Sequence, residues 1–128
     1  MLVIDSSALV KFFSKEEGWE NVLPYIGEAM TMRFALAELG NSLLKKVHND
    51  KIDLKRAEEL LTVYSKNAVL LHDEQYTGLA FKTAHDNGLA MYDSISIAAC
   101  KSEGSGLVTC DGDQAKVARK LGITVAEC

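Results

Sequence analysis

Residues 2–13 read LVIDSSALVKFF, and this stretch decides the fold. Leu2-Val3-Ile4 is a run of consecutive branched apolar residues, the pattern of a short strand buried on both faces. The charge that follows at Asp5 is costly there unless water, a metal or a partner compensates it. Ser6-Ser7 then offers a helix cap ahead of the apolar run from Ala8 to Phe13. A buried strand, an acid and a helix together open an α/β unit. In open sheets of such units the binding crevice lies outside the carboxyl ends of the strands, so Asp5 is a candidate functional residue on its own.

The same alternation continues outward. Lys15 to Gly18 reads as a loop, and Trp19 to Glu28 is helical but carries Pro24, so a helix starts or bends there. Between about Arg33 and Asn49, Met32, Leu36, Leu39, Leu43 and Val47 recur with the spacing of one helical face. Glu38 lies about 200° from Leu36 around that helix and avoids the apolar stripe. Asp53 caps a helix running to about Asn67, and Ala68 to Leu71 is a second strand. Glu74 to Asp86 is helical and stops at Asn87-Gly88. Asp93 opens a helix with Ile95, Ile97, Ala98 and Ala99 that ends near Gly104. Leu107 to Cys110 is a strand bounded by Gly106 and Asp111. Ala115 to Leu121 is a last helix, closed by Gly122, and Ile123 to Val125 a last strand. Strands separated by helices pair in parallel through right-handed crossovers. The expected fold is therefore a three-layer α/β sandwich, a central parallel sheet with helices on both faces, in one domain spanning residues 1–128. Asp5 and Asp111, each directly after a strand, should share one edge of that sheet.

Composition sets the bounds. The chain has 128 residues, 48% of them hydrophobic, with nine Gly and one Pro, which suits one packed core. No apolar run approaches the length of about 20 residues needed to cross a bilayer, and Met1 to Asp5 reaches an acid too soon for a signal peptide. A cytoplasmic protein with no membrane partner is expected. Cys100, Cys110 and Cys128 are odd in number and not closely paired, so neither a disulfide framework nor a zinc site is expected, and Cys100 and Cys110 read as small core residues. The net charge of −4 argues against phosphate binding. Setting aside Asp5, Glu38, Asp93 and Asp111 from the 18 acids, however, leaves as many acids as the 14 Lys and Arg. A divalent metal in the cleft reverses its local charge.

Each acid also has a structural explanation. An Asp before a helix, such as Asp93, is more often a cap than a catalyst, and Asp111 in Asp111-Gly112-Asp113 reads first as a turn residue, with Asp113 the better placed to cap the last helix. Glu38 alone reads as a solvated surface residue. His48, His72 and His85 are scattered, and Lys11, Lys45, Lys46 and Trp19 read as solvated or packing residues before phosphate or base contacts.

Four segments in order, LVIDSSALVKFF at 2–13, ALAELGNSLLKK at 35–46, YDSISIAACKSEG at 92–104 and LVTCDGDQAKVARKLGI at 107–123, resemble a PIN domain, and within that superfamily the compact VapC-type toxins of toxin–antitoxin pairs. The resemblance spans essentially the whole chain. It implies a metal-dependent ribonuclease whose catalytic and metal-binding acids are Asp5, Glu38, Asp93 and Asp111. Ser6 or Ser7 and Thr109 would support the site, with Asp113 as an auxiliary ligand. It further implies Mg²⁺ or Mn²⁺ as cofactor, RNA as substrate with 5′-phosphate and 3′-hydroxyl products, a small cognate antitoxin that blocks the cleft, and a homodimer. Phosphodiester hydrolysis needs a nucleophile generated near neutral pH and stabilisation of the leaving oxygen, which hard carboxylate ligands holding such a metal provide. Two rivals stand beside this reading. One is a non-catalytic PIN-like module that binds RNA or protein. The other is an aspartate-based receiver domain, against which the chain has neither paired acids after the first strand nor a lysine after the last.

Overall fold

The computed structural model describes residues 1–128. Its central strand is β1 (Leu2–Ile4), flanked by β2 (Met30–Met32) and β4 (Gly106–Thr109), with β3 (Val69–Leu71) and β5 (Val125–Glu127) at the edges. The order is β3-β2-β1-β4-β5 and every pairing is parallel. Parallel neighbours require crossovers, and the helices supply them. These are α1 (Ser6–Phe13), α2 (Leu23–Ile26), α3 (Arg33–His48), α4 (Leu54–Asn67), α5 (Thr77–Asn87), α6 (Met91–Glu103) and α7 (Gly112–Lys120).

Side chains alternate across a strand, and that alternation builds three layers. Ile4 and Val108 point to one face, where they pack with Leu9 of α1, Leu39 and Leu43 of α3, and Ala57 and Tyr64 of α4. Val3 and Leu107 point to the other, against Ile97 and Cys100 of α6 and Ala118 of α7. Met32 extends the second face toward Ala80 of α5 and Ala98 and Ala99 of α6. Where β4 begins, the sheet closes tightly: a Cβ on Gly106 would lie 2.8 Å from the Leu2 side chain and 3.1 Å from the Thr124 carbonyl oxygen.

The structure differs from the sequence reading at several boundaries. Met30-Thr31-Met32 is a fully buried strand, so Met32 ends β2 and precedes α3 instead of joining its apolar face. Three buried residues running straight into a helix carry too little periodicity to be told from the helix itself. The last strand starts at Val125, because Ile123 N–H still donates to Ala118 of α7 and only Thr124 begins to bond β4. Asp5 caps α1, and Ser6 and Ser7 are its first residues. Asp93 lies in the first turn of α6, which starts at Met91 behind Ala90. Asp111 caps α7, accepting from the backbone N–H of Asp113 and Gln114, while Asp113 sits inside the helix. Finally, Cys110 and Cys128 form a disulfide across 18 residues, and only Cys100 is a free, buried cysteine. The two partners meet because β4 and β5 are adjacent, with Cys110 and Cys128 one residue beyond the paired Thr109 and Glu127.

Candidate active site

The carboxyl ends of β1 and β4 bring Asp5 and Thr109 side by side. Asp5 is 5% exposed. Its Oδ1 accepts from the Ala8 N–H (3.1 Å) and from Ser7 Oγ (2.7 Å), and its Oδ2 from Thr109 Oγ1 (2.7 Å). Burial pushes its pKa up to about 6, against the lowering effect of those hydrogen bonds and with a further push from the charge of Asp93. Glu38, in the second turn of α3, accepts from Ser6 Oγ at 2.8 Å, which ties it to the residue after Asp5. Asp93 is half-buried. Its carboxyl is raised above the usual range by burial first, then by the charges of Asp111 and Glu38. Asp111 Oδ1 serves as the cap of α7, at 2.9 Å from Asp113 N and 3.1 Å from Gln114 N.

The four acids proposed from sequence thus share one electrostatic neighbourhood: Asp111 and Glu38 act on Asp93, and Asp93 on Asp5. None of them forms a salt bridge. Nor are any three His, Cys, Asp or Glu side chains gathered tightly enough to hold an ion as they stand. Like charges with no protein cation between them keep their distance. Asp113 is exposed, and its side chain makes no hydrogen bond to the four.

Thr109 is the hub beneath them. Its hydroxyl lies 2.7 Å from Asp5 Oδ2 and 2.8 Å from Gln114 Oε1, accepts from Asp111 N at 3.0 Å, and is 3.2 Å from Ser7 Oγ. One hydroxyl proton cannot serve both acceptors. With Asp5 protonated on Oδ2, Asp5 donates to Thr109 and Thr109 to Gln114. With Asp5 ionised, one acceptor goes short.

Gln114 was missed by sequence reasoning. It is buried, and besides Thr109 it holds α6 in place by donating from Nε2 to the Asp93 carbonyl at 3.1 Å. A signal existed: Gln114 shares a helical face with Val117, Ala118 and Leu121, and a polar residue on an apolar stripe needs a buried partner. Ser7, weighed only beside Ser6, joins β1 to β4 by donating to Asp5 and accepting from Cys110 N at 2.9 Å.

A profile of the PIN domain family matches residues 2–120. The chain belongs to the PIN domain family. Among solved structures, this PIN domain is similar to PAE2754 from Pyrobaculum aerophilum, at 21% identity and a TM-score of 0.75, over 97% of this chain and 82% of that one. It is also similar to a chain of VapBC2 from Rickettsia felis, solved bound to a DNA fragment from their promoter, at 14% identity and a TM-score of 0.68, covering 99% and 98% of the two chains. A chain of FitAcB from Neisseria gonorrhoeae gives 14% identity and a TM-score of 0.63 over 98% and 96%. No curated protein sequence matches this chain. These identities speak for the fold, a five-stranded parallel sheet between helices, as the sequence reading expected.

The donor set of this PIN domain suits a hard divalent cation. It offers carboxylate oxygens with hydroxyls behind them and no soft ligand, since Cys110 is bonded to Cys128. The raised carboxyls without a basic partner are the groups such a cation would relieve.

Proposed function

We propose that this PIN domain is a metal-dependent endoribonuclease of the VapC type, the toxin of a toxin–antitoxin pair. One observation carries the proposal: half-buried Asp93 sits among Asp5, Glu38 and Asp111 with no base to neutralise any of them. Asp5, Glu38, Asp93 and Asp111 would hold Mg²⁺ or Mn²⁺, which supplies neutralisation of the cleft and activation of water. The chain's own parts then orient the site. Ser6 aims Glu38, Ser7 and Thr109 aim Asp5, and Gln114 fixes the start of α6. Asp113 remains an auxiliary group at the rim.

Partners and state belong to the same proposal. A groove of about 570 Å³ between α1, α3 and α4 is floored by Phe12, Trp19, Leu43 and Ile52 and rimmed by Lys46, Lys51 and Arg56. Its chemistry suits an amphipathic acidic segment of a small antitoxin. A homodimer belongs to the same proposal, with Phe81 on α5, 70% exposed, as a candidate contact. No helix is long and apolar enough to cross a membrane. A cytoplasmic setting goes with the toxin reading.

The test is a Mg²⁺ and Mn²⁺ titration of RNA cleavage by wild type, Asp5→Asn and Asp93→Asn. Folded but silent variants beside an active wild type support the enzyme. Equal cleavage by all three refutes the site, and wild type that binds RNA without cutting it under either ion supports the non-catalytic module instead.

A further inference from the structure

Beyond the ends of β2 and β3, one and two strands from Asp5, the same carboxyl edge of the sheet changes sign. In register, Met32 pairs with Leu71, so Arg33 and His72 stand level just beyond the ends of β2 and β3. Arg33 Nη1 lies 3.3 Å from His72 Nδ1. β2 adjoins β1, and Thr31 Oγ1 donates to the Ile4 carbonyl next to Asp5 at 2.8 Å. With strands about 4.8 Å apart, Arg33 follows the strand one spacing from Asp5 and His72 the strand two spacings away. Arg33, a permanently charged guanidinium, is the principal cation of the patch, and Glu74 lies 3.6 Å from His72 Nδ1.

An aromatic pair stands beside it. Phe34, next to Arg33, meets Tyr92 with ring centroids 5.1 Å apart and planes at 50°. Phe34 packs partly into the core, whereas Tyr92 is 58% exposed and its hydroxyl bonds no protein group. Tyr92 directly precedes Asp93. An exposed aromatic that directly precedes an acid of the cleft, backed by a ring whose neighbour along α3 carries a guanidinium, offers the parts that bind an unpaired nucleotide: a ring face for the base and a cation for the phosphate.

We propose that Tyr92 and Arg33, assisted by Phe34 and His72, form a subsite for one unpaired nucleotide flanking the phosphate that is cut. The subsite rests on the nuclease reading for its role and stands on its own geometry for binding. It makes the enzyme selective for single-stranded over duplex substrate, because stacking on Tyr92 requires an exposed base face. Neither the ring nor the guanidinium reads the sugar, so the subsite itself accepts RNA and DNA strands alike.

The experiment measures anisotropy of a short, fluorescently labelled single-stranded RNA, with its DNA counterpart and an RNA duplex as separate arms, in EDTA so that nothing is cut. Tyr92→Leu weakens single-strand binding about tenfold, within the range measured for losing one base stack. Tyr92→Phe keeps the ring and the affinity. Arg33→Gln lowers the slope of log Kd against log salt by about 0.7, the value for one phosphate contact on a single strand, and Arg33→Lys restores it. Duplex binding is insensitive to Tyr92→Leu. Unchanged single-strand binding by Tyr92→Leu and Arg33→Gln overturns the subsite and leaves the patch to a protein ligand. A parallel cleavage assay in Mn²⁺ separates the two readings. Wild type that never cuts, with these binding losses intact, sinks the nuclease and keeps the subsite; active wild type whose KM neither variant alters sinks the subsite and keeps the nuclease.

Discussion

Replacing Asp5 by Asn should make the protein more stable while abolishing the proposed RNA cleavage, and the size of the gain follows from the site. Folding carries the Asp5 carboxyl from a pKa of 3.8 to about 6, chiefly by burial. Below pH 4 the group is protonated in both folded and unfolded chains and contributes no difference. As pH rises through 6 the unfolded chain is already ionised, and the native state must give up its proton against burial, so stability falls. Above that window the full displacement, about two units at 1.36 kcal/mol each, costs the native state about 3 kcal/mol. Asn carries no charge, and its amide can donate to Thr109 as the protonated acid does, leaving Thr109 to serve Gln114. The expected gain at pH 8 is about 3 kcal/mol, or about 10 °C in Tm at about 2.1 cal/mol/K of unfolding entropy per residue. Thermal melts of wild type and variant in EDTA at pH 4 and pH 8 check this. Excess Mn²⁺ should then raise the Tm of wild type and leave the variant nearly unmoved. An Asn variant that is less stable than wild type at pH 8, or whose gain is the same at both pH values, refutes the argument.

Other consequences are separable by ordinary assays. Thr109→Val removes the hydroxyl shared by Asp5, Gln114 and Asp111 N, and should lower stability by about 1–3 kcal/mol in urea melts, with a loss of cleavage even where the chain is folded. Reducing the Cys110–Cys128 bond, or Cys128→Ser, releases a link across 18 residues and should cost about 3 kcal/mol; identical melts with and without reductant would show that the bond does not form. Gly106→Ala forces a methyl against the Thr124 carbonyl and Leu2, for an expected loss of about 1–3 kcal/mol, and wild-type stability there contradicts the close approach of β1, β4 and β5.

Asp5 was legible because it breaks an apolar run, a local conflict that burial makes expensive. Glu38 and Asp93 carried no such conflict: one sits off an apolar stripe and the other in a first helical turn, where acids are ordinary. Their grouping rested on resemblance, and their proximity is a product of strand order. The PIN domain match now covers residues 2–120, while the roles of the four acids stay a proposal for the cleavage assay. β2 was hidden because its three residues have no period of their own, and Gln114 because its partners lie on β4 and α6.

Local chemistry alone settled the alternation of helices and strands apart from β2, the capping of α4 by Asp53 and the stop at Gly88, since each depends on residues a few positions apart. It also supplied the parallel sheet, because helices between strands leave few other connections. Only the folded sheet decided that β1 lies between β2 and β4, and from that order come the acids around Asp93, the Thr109 hub, the Cys110–Cys128 bond and the Phe34–Tyr92 pair. Contacts between residues tens of positions apart depend on which strands become neighbours, and no short-range pattern in the chain encodes that order.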